Sequence, residues 1–190
     1  MFAIKNNYYL YIENTTDLNL NLIKKRQKFT VIYRNNSKHI DLEELIIFRK
    51  KCRQKGVSFY VANNLKLSMM LKANGLYVSS YNKNLNVLNL KNNNFKIIGS
   101  AHNIKEYAFK LKQGCEKVIF SRLFETKYKN KKTFLGINKF NFISNFVKKE
   151  LIPLGGIRLH NLNSLKMVRS NSFALLSELK KKPAISNRLF

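Results

Sequence analysis

The residues of this chain best suited to chemistry are groups that bind phosphate, and the clearest of them follow a short apolar run. Leu151–Leu154 leads directly into Gly155 and Gly156. Because glycine has no Cβ atom, a Gly-Gly pair lets backbone N–H groups approach an anion closely. The helix predicted just beyond adds the positive end of its dipole. Alone, a Gly-Gly pair is equally typical of a simple tight turn, so its function depends on neighbouring residues.

Other short apolar runs also end in polar or cationic residues. In chain order these residues are Arg34, Asn63, Ser100, Thr126 with Lys129, and Ser177. Arginine and lysine neutralise phosphate, and hydroxyl groups donate hydrogen bonds to it. Taken one at a time, Arg34 could be a plain surface cation and Ser100 a turn residue. Taken together, groups of this kind at the carboxyl ends of parallel strands would form one anion-binding face.

The apolar runs that carry these residues predict eight strands: Tyr8–Ile12, Phe29–Tyr33, Val57–Val61, Leu76–Val78, Phe95–Ile98, Val118–Phe120, Leu151–Leu154 and Ser172–Leu176. Their apolar residues are continuous rather than alternating. This pattern is typical of parallel strands that are covered on both faces.

Helix signals separate the strands. Two helices have an N-cap residue, a glutamate three positions later and a closing glycine: Asp41, Glu44 and Gly56 in one, and Asn103, Glu106 and Gly114 in the other. These are capping-box and C-terminal signals. The predicted inward-facing residues are Leu42, Leu45, Ile46 and Phe48 in the first helix, Ile104, Tyr107, Ala108 and Leu111 in the second, and Phe142, Ile143, Phe146 and Val147 in a third.

Eight strands with intervening helices predict an α/β fold, a compact (β/α)8 TIM barrel in a single domain over residues 1–190. The barrel core is expected over about residues 7–180, followed by a basic tail at 181–190. A doubly wound open sheet is the rival fold, because the fourth strand is short and the Asn-rich segment 82–94 is a poor helix.

Composition narrows the classes of function. A net charge of +26 is high enough to suggest a nucleic-acid-binding protein. However, lysine far outnumbers arginine, the residue that reads bases. Specific nucleic-acid binding is therefore not expected, and bias toward AT-rich codons explains the charge equally well. No apolar run reaches transmembrane length and no signal-peptide pattern opens the chain, so no membrane partner and a cytoplasmic location are expected. Cys52 and Cys115 match no metal or disulfide spacing and are expected to be buried or incidental thiols.

In their order along the chain, the motifs resemble those of the thiamine phosphate synthase and TenI family over essentially the whole length. The matching segments are Ala62-Asn63, Ala73–Ser80, Thr126 with Lys129, Gly155-Gly156-Ile157 and Ala174–Ser177. The resemblance implies a transferase of thiamine biosynthesis with a barrel fold. Its small phosphorylated substrates would be an aminopyrimidine methyl diphosphate and a thiazole phosphate, and its products thiamine phosphate and pyrophosphate. The oligomeric state stays open.

The resemblance also implies roles for residues. Arg34, Asn63 and Lys129 would bind the diphosphate, and Ser100 and Lys129 would act at the reacting centre. Thr126, Gly155, Gly156 and Ser177 would bind the thiazole phosphate. The family binds Mg2+ through two aspartates, and the corresponding residues here are Asn63 and Asn82.

Other departures from the family pattern fall in the same half of the site. The Gln-x-Arg-x-Lys motif of the second strand appears as Ile32, Arg34 and Asn36, and a histidine of the fourth strand is Tyr77. Two explanations stay open: lysines could replace the charge of the metal, or the coupling reaction could be lost. A TenI-like thiazole tautomerase and a non-catalytic phosphate-binding protein are therefore alternatives. The tautomerase lacks an evident general base, because the nearby position is Arg122.

Overall fold

The computed structural model describes residues 5–23, 27–35, 40–93, 95–126 and 133–176. Within these residues, eight parallel strands form a closed barrel: β1 Asn7–Ile12, β2 Phe29–Tyr33, β3 Ser58–Ala62, β4 Gly75–Val78, β5 Lys96–Ala101, β6 Lys117–Ser121, β7 Leu151–Leu154 and β8 Ser172–Leu175. Each strand pairs with the next, and β8 pairs with β1 through Tyr8 opposite Phe173. The predicted (β/α)8 barrel is confirmed, and closure of the sheet excludes the open-sheet rival.

Within the described ranges the helices are few and short, which keeps the number of residues needed for a closed barrel low. The α-helices are α1 Leu42–Gln54, α2 Leu65–Met70, α3 Ile104–Lys112 and α4 Gly136–Phe146. After β1, β4 and β7 the described chain forms 3₁₀ segments instead, at Thr15–Asp17, Leu20–Leu22, Leu85–Asn93 and Leu159–Met167. The weak helix predicted after the fourth strand is one of them. Among the described helices none is both long and apolar enough to cross a membrane.

The predicted helix starts and stops are confirmed. The Asp41 carboxylate accepts a hydrogen bond of 3.0 Å from the Glu44 backbone N–H, and the Asn103 side chain accepts one of 2.9 Å from that of Glu106. After α1 and α3 the chain turns at Gly56 and Gly114, both with positive φ. These caps fix the ends of α1 and α3 and hence the loops that face the ends of the strands.

Two hydrophobic cores lie on opposite sides of the sheet. The outer core lies between strands and helices and includes Leu45, Phe48 and Cys52 of α1. The inner core fills the barrel with Tyr9, Tyr11, Ile32, Tyr60, Tyr77, Ile98, Ile119, Ile152 and Ala174. Four tyrosines in this set place hydroxyl groups inside an otherwise aliphatic barrel. Buried phenols usually find a polar partner, so these hydroxyls bear directly on the site.

The predicted inward faces of the helices are partly wrong. Six of the residues named for them are exposed: Leu42, Ile46, Ile104, Ala108, Phe142 and Phe146. In α4 the buried residue is Phe140, and Phe142 lies about 200° around the helix from it at about 100° per residue. The Phe142 and Phe146 rings pack on each other instead, with centroids 4.8 Å apart. These helices contact the barrel along a narrow stripe, so apolar spacing alone overestimates the buried face.

Candidate functional site

The described site residues predicted from the sequence lie at the carboxyl ends of the strands. Arg34 follows β2, Asn63 follows β3 and Asn82 lies in the turn after β4. Ser100 lies near the end of β5, Thr126 in the loop after β6, and Gly155 with Gly156 directly after β7. Lys129 and Ser177, predicted for the two phosphate sites, lie outside the described residues. The barrel thus brings seven predicted residues to one mouth, where parallel barrels place their chemistry.

The centre of the mouth is formed by Arg34, Tyr11, Tyr77 and Ser100. The Tyr11 and Tyr77 rings meet edge to face, with centroids 5.4 Å apart and planes at 87°. Burial raises the pKa of both phenols, and the Arg34 guanidinium opposes that rise in each case. The Ser100 side chain forms a hydrogen bond with Tyr77. One guanidinium therefore acts on both hydroxyls, and Ser100 joins the same cluster.

An unsatisfied polar atom makes this centre a candidate binding site. The Arg34 Nε is buried and has no hydrogen-bond partner among the described residues, whereas the Tyr11 hydroxyl is hydrogen-bonded to that of Tyr77. An unpaired buried donor costs on the order of 1–3 kcal/mol, so such atoms are rare unless a ligand or solvent satisfies them. Tyr11 is 1% exposed. An anion bound above the inner core would satisfy the Arg34 nitrogen directly.

One corner of the mouth, between β3 and β4, is closed by its own hydrogen bonds. Asn63 has a left-handed backbone with φ of 56°. Its Nδ2 donates to Ser79 Oγ at 2.9 Å and to the Tyr81 hydroxyl at 3.1 Å. Its Oδ1 accepts from the Ser79 backbone N–H at 3.0 Å, from Ser79 Oγ at 3.1 Å and from Asn82 Nδ2 at 3.1 Å. The two asparagine side chains are in contact, and both the Nδ2 and the Oδ1 atoms of Asn63 are hydrogen-bonded.

A buried lysine of α3 lies behind that corner. Lys110 is 0% exposed. Its Nζ donates to the backbone carbonyls of Ser79 at 2.6 Å and Asn82 at 2.9 Å, and to Gln113 Oε1 at 2.7 Å. Burial lowers the pKa of Lys110 to about 8. The sequence interpretation missed this residue, although a lysine three positions after Tyr107 falls on the inward stripe of α3.

The residues of this corner do not fit the Mg2+ ion that the resemblance implied. Mg2+ prefers open oxygen ligands that include one or two carboxylates. Asn63 Oδ1 already accepts three hydrogen bonds, and Asn82 Oδ1 accepts one of 3.0 Å from the Asn84 backbone N–H. Within the described part of the chain no three His, Cys, Asp or Glu side chains cluster in a way that could hold a metal.

A second region of the mouth, between the loops after β6 and β7, is open. It is a cavity of about 480 Å³ lined by Phe124, Glu125, Thr126, Phe134, Gly156, Arg158, His160 and Asn161. Gly156 has φ of 67°, and a Cβ atom there would lie 2.4 Å from the Glu125 carbonyl oxygen. Only glycine fits this turn, because both its backbone conformation and its surroundings exclude a side chain.

Hydrogen bonds hold the walls of this pocket in place. Asn161 Nδ2 donates to the Gly156 carbonyl at 2.8 Å, and Asn161 Oδ1 accepts from the Arg158 backbone N–H at 2.8 Å. On the other wall, Arg122 donates to the Thr126 hydroxyl and to the Thr133 carbonyl, the latter at 2.7 Å. The sequence interpretation missed Arg158 and Asn161 and gave His160 no role. The signal that could have found Arg158 was a cationic residue two positions after the Gly-Gly pair.

A histidine also stands at this end of the barrel. His102 Nδ1 lies 2.8 Å from Ser121 Oγ, at the ends of β5 and β6. The His102 backbone N–H donates to Glu106 Oε2 at 2.8 Å, which holds His102 beside the N-cap of α3. Its ring is thus hydrogen-bonded at the mouth, so an imidazole lies close to the other polar groups of the site.

Solved structures share this fold. Thiamine phosphate pyrophosphorylase from Pyrococcus furiosus superposes with a TM-score of 0.74 at 16% identity, over 98% of this chain and 94% of that one. A 3-keto-L-gulonate-6-phosphate decarboxylase from Vibrio cholerae gives a TM-score of 0.68 at 11% identity, over 97% and 96% of the two chains. At these identities the similarity establishes the barrel and nothing finer.

Sequence relatives are more specific. A thiamine-phosphate synthase of Prochlorococcus marinus (strain AS9601) is 28% identical over 139 residues, which are 73% of this chain and 40% of that protein. The chain therefore spans well under half the length of this relative. A thiamine-phosphate synthase of Clostridioides difficile (strain 630) is 22% identical over 183 residues, 96% of this chain and 84% of that protein. Residues 5–179 match the TMP-TENI family, described as thiamine monophosphate synthase. The chain therefore belongs to the thiamine monophosphate synthase family.

Proposed function

We propose that this protein is a thiamine phosphate synthase-like transferase of the cytoplasm. It couples an aminopyrimidine methyl diphosphate to a thiazole phosphate and releases pyrophosphate. The observation that carries the proposal is the buried Arg34 Nε, which has no partner among the described residues although it lies at the centre of the mouth. A diphosphate is an anion with oxygens enough to satisfy this nitrogen and the rest of the guanidinium together.

The proposed reaction needs charge neutralisation and alignment more than proton transfer. The bond between the methylene carbon and the diphosphate oxygen breaks, and its electron pair leaves on the diphosphate. The thiazole nitrogen then donates its lone pair to the same carbon. Arg34 and Lys129 would stabilise the leaving charge, while the Ser100 and Tyr77 pair would border the reacting carbon. Preorganised donors of this kind lower the barrier because they need no reorganisation as charge develops.

The open pocket after β6 and β7 would bind the thiazole phosphate. Thr126 and Gly156, to which the resemblance gives this role, line the cavity, and Arg158 adds a cationic group to it. Ser177 and Gly155 would complete this subsite. Holding the acceptor at a fixed place turns a two-body capture into a local one.

The proposal is tested by incubating the protein with both phosphorylated precursors and separating the products by chromatography. Thiamine phosphate and pyrophosphate should form in equal amounts. Arg34→Met should lower kcat/KM by about a hundredfold, since it removes the central cation. Arg53→Met is the matched control, because Arg53 is an exposed arginine of α1. If no product forms under conditions in which a family member works, the chain is not a synthase.

A thiazole tautomerase is the second candidate, and one observation favours it. The His102 ring, hydrogen-bonded to Ser121, places an imidazole at the mouth, and imidazole is the side chain most often used as a general base. This differs from the sequence interpretation, in which Arg122 left the site without a base. A tautomerase would convert the thiazole phosphate tautomer without the diphosphate substrate, and His102→Gln would abolish that conversion. Coupling activity that survives His102→Gln would instead favour the synthase.

A further inference from the structure

We propose that Lys110 supplies a built-in positive charge to the corner between β3 and β4, and that this corner therefore takes no divalent metal. Lys110 acts as a positioning residue, because its ammonium fixes the turn Ser79–Asn82 and through that turn the amide of Asn63. The inference concerns the same end of the barrel as the proposed transferase function. Its consequence for catalysis rests on that function, but its consequence for metal binding does not.

The ammonium of Lys110 is fully used. A protonated lysine has three N–H donors, and three oxygens lie within 2.9 Å of Nζ: the Ser79 and Asn82 carbonyls and Gln113 Oε1. Gln113 in turn donates to the Asn82 and Asn84 carbonyls at 3.1 and 2.8 Å. The carbonyls of the turn after β4 thus point toward α3, where they bind a cation of the protein itself.

The Asn63 and Asn82 pair is matched to a corner without a metal. Asn82 Nδ2 donates to Asn63 Oδ1 at 3.1 Å, so the two amides satisfy each other. Two carboxylates at such a separation would repel and would need a cation between them. Amides remove both the repulsion and the need for the cation. The change of residue type and the buried lysine therefore belong to one arrangement.

The charge of Lys110 also opposes a second cation. Its Nζ lies 2.9 Å from the carbonyl of Asn82, so an ion bound by the Asn63 and Asn82 side chains would stand close to a desolvated ammonium. Like charges at such range repel strongly in a partly buried site. Lys83 adds to this field and Glu106 opposes it, because their charges shift the pKa of Lys110 in opposite directions.

Calorimetric titration of the full chain with MgCl2, without substrates, tests the inference. The wild type should show no saturable binding at millimolar Mg2+. Asn63→Asp should bind weakly, because Lys110 competes for the new carboxylate. Asn63→Asp with Lys110→Met should bind at least about tenfold more tightly than Asn63→Asp alone. Asn63→Asp with Lys112→Met is the control, since Lys112 is an exposed lysine of the same helix.

Two results would overturn the inference. One is saturable Mg2+ binding by the wild type that Asn63→Ala removes. The other is equal Mg2+ affinity of Asn63→Asp with and without Lys110. If Lys110→Met does not fold, Lys110→Gln keeps a polar group there without the charge and gives the same comparison. A purely structural role of Lys110 would not change Mg2+ affinity. Since no substrate is present, these results stand apart from success or failure of the coupling assay.

Discussion

Two regions of the same barrel mouth differ in how their polar groups are used. Between β3 and β4, the Asn63 amide and the Lys110 ammonium are satisfied by the protein itself. Between the loops after β6 and β7, Thr126, Gly156 and Arg158 line an open cavity. The contrast teaches that a barrel end can keep one pocket open while the polar groups of another corner become part of the scaffold.

The largest expected effect is that of Gly156→Ala, which tests whether the open pocket depends on the close turn. A Cβ atom there would lie 2.4 Å from the Glu125 carbonyl oxygen and 2.6 Å from Phe124 atoms, in a backbone with φ of 67°. Binding of thiazole phosphate, measured by calorimetry, should fall by about a hundredfold or more, since loops on both sides must shift. The proposal for this pocket fails if the affinity is unchanged.

Gly136→Ala is the matched control for that variant. Gly136 has a similar φ of 69°, but a Cβ atom there would meet nothing within 4 Å. It carries the backbone strain without the collision, so it should cost on the order of 1 kcal/mol of stability and leave phosphate affinity intact.

Lys110→Met tests the closed corner. The change leaves three acceptors without their donor, the Ser79 and Asn82 carbonyls and Gln113 Oε1. The free energy of unfolding, measured in denaturant, should fall by about 2 kcal/mol or more. Lys112→Met should change it by less than about 0.5 kcal/mol, because surface substitutions rarely do more. Equal losses in the two variants would show that the buried ammonium does not hold the corner together.

Arg158→Met should separate the two regions. A charged hydrogen bond to phosphate is worth about 1.5–3 kcal/mol, so inorganic phosphate should bind at least about tenfold more weakly. Stability should change little, since the described hydrogen bonds between Arg158 and Asn161 use the backbone N–H and the backbone carbonyl of Arg158. Arg169→Met, at an exposed arginine, is the control. Lys110→Met should have the opposite effect, with lower stability and unchanged phosphate affinity. If both variants changed stability and affinity alike, the two regions would not be independent.

The sequence predicted the barrel, and Thr126 and Gly156 among the residues of the open pocket, for local reasons. Continuous apolar runs, cap pairs such as Asp41 with Glu44, and the Gly-Gly turn each act within a few residues. The closed corner could not be predicted in the same way. Lys110 meets carbonyls 28 and 31 positions earlier, and such a contact has no signal in spacing. The exposed Phe142 shows the same limit, because only packing decides which side of a helix faces the barrel.

The smallest expected effect concerns the reactivity of Cys115, a thiol beside the closed corner, compared with that of Cys52. Cys115 packs beside Lys110, since a Cβ atom on Gly99 would meet both Cys115 Sγ and Lys110 carbons within 3.0 Å. Cys52 lies in the outer core, where burial raises its pKa to about 12. It therefore stays a protonated, unreactive thiol through pH 10, below that raised pKa. Both thiols are buried and free, as expected from the sequence.

In Lys110→Met, labelling of Cys115 by a disulfide reagent at neutral pH, followed by mass spectrometry, should accelerate several-fold, while the labelling rate of Cys52 stays unchanged. Equal acceleration of both thiols would mean that the whole barrel has loosened, and the distinction between the two regions would fail.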